Sequence, residues 1–369
     1  MNRETNGLLV VAMSLVAIGV IMVYSASAVN AFHSSLTGLD YLGRQLIYAA
    51  IGLTVMFSLA RVDYHHLRKP SVYRPIVLGA LFLLIAVLLF GEERGGARRW
   101  LTLWFFSFQP SEVAKFALIV ILAVKLTENR DEVGHFFRGF LPPVAITIVF
   151  AALIFFQRDL GTPVVICAIS GIMIFLAGTR WSFVVVSTAP MVAAVIGLIV
   201  TSPYRWDRFV SFFNPWDYRD DEGYQLIQSM SAFAYGSIFG RGPGASEQKL
   251  FYLPEAHTDF IFAIWGEEMG LVGSLFMAGL FIAMLVLSFR IAMCAPDTFG
   301  ALLAVGIGSL ITVQAAFNMA VTVGLLPTKG LPLPFVSAGG TALIVNLALV
   351  GVLLSVGLRA TDEDKLRPI

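Results

Sequence analysis

Charge is scarce in this chain. Asp, Glu, Lys and Arg make up 13% of its 369 residues and the net charge is +1, so the basic footprint of a nucleic-acid binder is missing and no nucleic-acid partner is expected. Cysteine is nearly absent too: Cys167 lies inside an apolar run and Cys294 beside the charged turn after Arg290. No CxxC or His/Cys metal spacing exists, and the expected topology sets the two thiols towards opposite membrane faces, so no disulfide between them is expected. The glycines of Gly240-Arg241-Gly242-Pro243-Gly244 lack a following Gly-Lys-Ser/Thr; they read as a turn rather than a phosphate-binding loop. The first apolar run, Leu8 to Ser25, has no A-x-A cleavage pattern and is followed by many others, so it is expected to be retained as a span. No inverted repeat is evident.

What the chain has in excess is apolar sequence. It is 57% hydrophobic, more than polar surface can cover in a soluble domain. Stretches close to the ~20 residues that cross a bilayer as helix occur at Leu8–Ser27, Gln45–Ala60, Pro75–Phe90, Ser111–Leu126, Gly139–Phe156, Pro163–Gly178, Ser182–Thr201, Ile264–Phe289, Phe299–Val323 and Thr341–Gly357. The fold class expected is an all-α integral membrane protein of about ten transmembrane helices, a single domain over 1–369, with a large outer loop at 202–262 between the seventh and eighth spans.

Orientation follows from the short loops. With a cytoplasmic N-terminus, every inner connection is basic: Arg61, Arg68, Lys69 and Arg74; Lys125, Arg130 and Arg138; Arg180; Arg290; and Arg359, Lys365 and Arg367. Both termini are therefore expected inside. The outer loop Gly91 to Pro110 breaks the rule with Arg94, Arg98 and Arg99; these either meet an anionic substrate or lipid headgroups, or are simply tolerated. Within the large loop, Tyr224 to Phe239 reads as an amphipathic helix lying along the membrane surface.

Ionisable groups at membrane depth are expensive and mark function by default. Glu112 and Lys115 are three apart and expected to pair on one helix face, either to lock packing or to take part in chemistry. Asp159, just before Pro163, caps a helix or contacts substrate. In Pro254-Glu255-Ala256-His257-Thr258-Asp259, a helix starting at Pro254 would set Glu255 and Asp259 on one face. A carboxylate held at the lipid interface is partly desolvated, which raises its pKa and suits it to act as a base. Glu255 and His257 also have plainer readings, as a helix-dipole partner and a snorkelling interfacial residue; Asp259, followed at once by an apolar run, does not. Glu267 and Glu268 lie deep enough to need partners. The segment Leu326 to Gly340 has three prolines and three glycines before Thr341 around Lys329; such backbone is tolerated at membrane depth only beside protein or a watery cavity, which makes Lys329 a candidate diphosphate ligand.

Gly96-Ala97-Arg98-Arg99-Trp100-Leu101, Phe108-Gln109-Pro110-Ser111-Glu112-Val113-Ala114-Lys115, Gly223-Tyr224-Gln225-Leu226-Ile227-Gln228-Ser229, Leu253 to Phe262 and Pro327 to Gly340 together resemble the SEDS family, the shape, elongation, division and sporulation proteins. The wording at 327–330 and 254–259 is closer to the division member than to the elongation member. The resemblance implies a ten-helix bacterial inner-membrane glycosyltransferase, active at the septum. It would join lipid II into glycan strands at the outer membrane face, beside a class B penicillin-binding protein and other division-complex membrane proteins. It implies Asp259 as the essential carboxylate; Lys329, the candidate diphosphate ligand, is the second catalytic candidate. Arg99, Trp100, Gln109, Glu112, Lys115, Asp159, Arg241, Glu255, His257, Thr258 and Ser337 are the substrate-binding candidates. A divalent cation, Mg or Mn, is implied, with Glu255 its candidate ligand. Arg158 stands where proline is usual and Ala338 where tyrosine is usual. A lipid flippase and a division scaffold without catalysis are the competing readings.

Overall fold

The structure, a computed structural model, describes residues 2–27, 38–94, 97–103, 106–183, 185–186, 197, 200, 203–221, 223–250 and 253–360. Apolar runs become helices: α1 (Arg3–Ser27), α2 (Gly38–Arg61), α3 (Pro70–Phe90), α4 (Pro110–Glu128), α5 (Leu141–Phe156) and α6 (Gly161–Leu176). Two shorter helices, α7 (Pro203–Phe213) and α8 (Tyr224–Gly236), precede α9 (Ile261–Met293), α10 (Thr298–Thr322) and α11 (Gly340–Arg359). Seven of the helical stretches are long and apolar enough to cross a membrane. The protein is an integral membrane protein, mostly helical. α4 has the length but carries Glu112, Lys115, Lys125 and Glu128 near its ends, and α6 is short at 16 residues. Helix is thus found at nine of the ten expected spans; the other, Ser182–Thr201, lies largely outside the described residues.

α10 is the axis of the bundle. It is buried along most of its length and touches α4, α6, α9 and α11, whereas α2 and α3 turn much of their surface outwards. α2 packs chiefly on α11, and α1 on α9. At one end of the bundle a polar clasp joins two connections and the end of α11: Tyr64 Oη donates to Asp297 Oδ1 at 2.5 Å, Ser355 Oγ donates to Val62 O and Arg359 donates to Ser355. Asn2 Nδ2 donates to Ala360 O there, so both ends of the described chain meet at this face. The site lies at the other face.

Three segments add detail to what was expected. The connection Gly91 to Pro110, expected as an outer loop, forms a small antiparallel sheet, β1 (Glu92–Arg94), β2 (Ala97–Leu103) and β3 (Phe106–Phe108), in the order β1-β2-β3. The alternation of Arg98, Trp100 and Thr102 with Ala97, Arg99 and Leu101 is the period-two pattern of a half-buried strand. α8 is helical as expected but does not simply float at the interface: it buries Leu226, Ile227 and Ala232 and docks on α9. Finally, no helix starts at Pro254. Residues 254–260 form turns, with Glu255 at a left-handed φ of 54°, and α9 begins at Ile261.

α9 is 33 residues long, about 50 Å at 1.5 Å per residue, well beyond the hydrocarbon thickness. It breaks at Gly270, where φ is 68°. The amides freed by the break are taken up by the loop after α8: Leu271 N donates to Ser237 O and Val272 N to Ile238 O, while Arg241 N and Gly242 N donate to Glu267 O and Glu268 O. A Cβ at position 270 would lie 2.3 Å from Gly240 N and 2.5 Å from Ile238 O. Gly270→Ala is therefore expected to lose about 1–3 kcal/mol of stability from strain and overpacking, seen as a lower thermal unfolding midpoint in detergent. Gly279→Ala, where the added methyl meets open space, should leave the midpoint unchanged or slightly raised.

Candidate active site

Asp259 sits in the turn entering α9 and is partly exposed. Three other segments converge on it. Arg99 comes from β2; its Nε lies 3.8 Å from Asp159 Oδ2 and its Nη2 donates to Arg158 O at 3.0 Å. Asp159 is buried and caps α6, accepting from Gly161 N, Thr162 N and Thr162 Oγ1, so the capping reading holds, with Arg99 as an added partner. The backbone beside Lys329 closes the group: a Cβ on Gly330 would sit 2.9 Å from Asp259 Oδ2 and 3.5 Å from Arg99 Nη1.

The environment changes the carboxyl. Burial pushes Asp259 up to about 7, the negative charge of Glu255 adds to the rise, Arg99 opposes it, and Asp159 contributes upward again. Asp259 is thus poised to hold or release a proton near neutral pH. His257 is pushed the other way: burial lowers its pKa and Glu255 partly offsets this. Its ring meets the Tyr41 ring edge-on at 5.9 Å.

Two irregular strands of chain, 253–260 and 326–339, are fastened to each other and to α10. Ser337 Oγ donates to Thr258 O at 2.5 Å and accepts from Leu333 N at 2.8 Å, and Ala338 N donates to His257 O. Thr258 Oγ1 donates to the Glu255 carboxylate at 2.7 Å. Asn318 Nδ2 donates to both Asp259 O and Leu331 O, each at 2.7 Å. One turn earlier on α10, Gln314 Nε2 donates to Pro332 O, while its Oε1 accepts from Lys115 Nζ at 2.6 Å. Lys115 also pairs with Glu112 at 2.8 Å, both side chains buried. The expected pair is therefore present and reaches the site through Gln314. Gln109 is buried at the N-cap of α4.

Asn318 and Gln314 do not figure among the residues expected from sequence. Their signal is two amides four apart in an apolar span, which places them on one helix face where each needs a partner. Two other candidates belong elsewhere. Arg241 pairs with Glu247 at 2.8 Å and Glu267 at 3.6 Å and stacks over Tyr235. This second cluster also holds Glu268, whose partners are Lys249 and Ser25, so the deep glutamates are paired, chiefly by the loop before α9. Trp100 lies on the face of β2 opposite to Arg99, across from Glu92.

Residues 6–361 match the family of cell cycle proteins that comprises FtsW, RodA and SpoVE. The chain belongs to this family. It is 44% identical over 353 residues to a probable peptidoglycan glycosyltransferase FtsW of Geobacter sp. (strain M18), covering 95% of this chain and 96% of that protein. It is 42% identical to stage V sporulation protein E of Bacillus subtilis (strain 168), with 95% of each covered. Among solved structures it resembles a chain from a study of how a peptidoglycan synthase complex coordinates polymerization and crosslinking, with a TM-score of 0.80, 28% identity and 96% and 98% of the two chains covered. It also resembles the rod shape determining protein RodA of Thermus thermophilus, with a TM-score of 0.72, 26% identity and 96% of each covered. The FtsW, RodA and SpoVE family is the SEDS family, so the resemblance carried by the sequence motifs is met over nearly the whole chain.

The Glu112–Lys115 pair gives a direct test of what its burial costs. Lys115→Met should lower stability by about 3–5 kcal/mol by leaving a buried carboxylate unpaired. The double variant Glu112→Leu/Lys115→Met should recover much of that loss, measured as unfolding midpoints around a double-mutant cycle.

Proposed function

We propose that this protein is a peptidoglycan glycosyltransferase of cell division, polymerising lipid II into glycan strands at the outer face of the bacterial cytoplasmic membrane. The observation that carries the reading is the Asp259 carboxyl, lifted to about 7 and set beside a guanidinium from β2 and the backbone at Gly330. Family membership and the names of the relatives support the reaction class. The whole chain acts as one domain of ten spans, with both termini in the cytoplasm and the 202–262 region outside, at the septum. A class B penicillin-binding protein that crosslinks the strands is its partner, together with other membrane proteins of the division complex.

In this mechanism Asp259 takes the proton from the 4-hydroxyl of the acceptor's terminal N-acetylglucosamine. That oxygen attacks the anomeric carbon of the donor's N-acetylmuramic acid, and undecaprenyl diphosphate leaves from the opposite side. An α-linked diphosphate giving a β-linked product is one inversion, so one base and one stabilised leaving group suffice. Arg99, already beside Asp259, and Lys329, next to Gly330, supply positive charge for the diphosphate. Arg241, engaged by two glutamates, is a poor candidate for that part. Asn318 holds the backbone of Asp259 and of the Lys329 segment at a fixed separation.

The divalent cation finds no resident cage: among the described residues no three His, Cys, Asp or Glu side chains converge. Glu255, its candidate ligand, has its carboxylate engaged by Thr258. The donor set therefore does not fit a resident metal; Mg or Mn would take its ligands mainly from water and diphosphate oxygens. The transport reading has weaker support, because no described membrane helix carries a charged residue in its central two turns, where a translocation path would need one.

Asp259→Ala should lower glycan formation from purified lipid II by at least about a hundredfold, the contribution of a general base. The assay is gel analysis of polymer from protein reconstituted with its penicillin-binding partner; polymer at wild-type level would remove Asp259 from this role. Because the base must be ionised, the wild-type rate should rise with pH through about 7. Glu255→Gln removes a negative neighbour and should move that limb to lower pH, whereas Arg99→Gln should move it higher, each by about one unit or less.

A further inference from the structure

β2 has two faces, and the active site uses only one. Arg99 points into the cluster around Asp259, and strand alternation puts Arg98 on the other side. There Arg98, Arg158, Glu93, Gln157, Leu88 and Phe156 line a pocket of about 290 Å³. Its polar rim is two guanidiniums around one carboxylate, with Arg158 Nη1 3.4 Å and Arg98 Nε 3.7 Å from Glu93. The local balance is one positive charge in excess. Gln157, the C-cap of α5, is 1% exposed. Its Nε2 donates to Leu84 O, its backbone carbonyl accepts from Arg98 N, and its Oε1 has no hydrogen-bond partner among the described residues. A buried acceptor in that state calls for a donor. The pocket also sits at the end of two membrane helices, since α3 ends at Phe90 and α5 at Phe156. Leu89, Phe90 and Phe156 are exposed apolar side chains there, the level at which chains give way to headgroups.

We infer that this pocket binds an anionic phospholipid whose headgroup carries a hydroxyl, of the phosphatidylglycerol type. The phosphodiester lies between Arg98 and Arg158, a turn of the buried Gln157 amide towards the pocket brings its Oε1 to accept from the headgroup hydroxyl, and the acyl chains run out along Leu88 and Phe156. Each part of the ligand answers a separate observation: the excess positive charge, the unpartnered acceptor and the apolar flank. The inference depends on the membrane location and not on the transferase reading.

The test is lipid retention by the purified full-length protein in native mass spectrometry, using phosphatidylglycerol, phosphatidylmethanol, which has the same charge but no headgroup hydroxyl, and phosphatidylcholine. The order of retention should be phosphatidylglycerol, then phosphatidylmethanol, then phosphatidylcholine. Arg98→Ala and Arg158→Ala should each cut retention of both anionic lipids by roughly fivefold, and Gln157→Leu should erase the preference for phosphatidylglycerol over phosphatidylmethanol. Both arginines are surface-exposed, so their variants should fold. If Gln157→Leu does not, the ratio of the two anionic lipids on the wild type still decides the hydroxyl contact. Equal retention of phosphatidylcholine, or undiminished phosphatidylglycerol on the double arginine variant, would overturn the inference. Displacement of the phospholipid by equimolar undecaprenyl diphosphate would also overturn it, and would give the pocket to the substrate instead.

Discussion

A membrane protein that builds its site from non-helical chain must give every backbone polar group a partner, because lipid gives none. That constraint organises this molecule. The segments 253–260 and 326–339 leave carbonyls that no helix can satisfy, and side chains supply the missing donors. Asn318 takes two of them, at Asp259 and Leu331, Gln314 takes Pro332, and Ser337 takes Thr258. A single face of α10 thereby becomes the template on which both site segments are hung. Lys115 and Glu112 extend that template to α4, so a buried ion pair of little stability value by itself fixes the orientation of Gln314.

The same frame explains the unusual state of Asp259. The negative charges of Glu255 and Asp159 raise its pKa and Arg99 opposes them, so the carboxylate neighbours add to desolvation. Asp159, by contrast, receives two backbone amides and a hydroxyl, and its oxygens are occupied in capping α6. Two aspartates in one small region are given different work by their hydrogen-bond partners.

The spans were legible because a hydrophobic run of membrane length fits almost nothing but a membrane helix, and α1, α3, α10 and α11 lie where the apolar stretches put them, to within a few residues. Glu112–Lys115 was legible because helical spacing alone brings the two together. Asp259 stood out because a carboxylate directly before an apolar run is costly without a purpose. The sheet at 92–108 was hidden even though β2 alternates, because its run of arginines masks the period with charge. The geometry of 254–260 was hidden because Pro-Glu reads as a helix start, while tertiary bonds from Ser337 and Ala338 hold those residues in turns. Arg241 falls outside the site for a different reason: its partners Glu247 and Glu267 lie where the loop after α8 docks beside the break at Gly270, and a break of that kind is set by what packs against it.

α10 is screened from the bilayer by its neighbours. Membranes differ in thickness, and helices that face lipid answer by tilting. Here α2, α3 and α5 face outwards and take up such changes, whereas the helix that carries Asn318 and Gln314 has almost no contact with acyl chains. The site is therefore referenced to an internal datum rather than to the membrane, and its geometry should hold constant as the surrounding lipid thickens or thins.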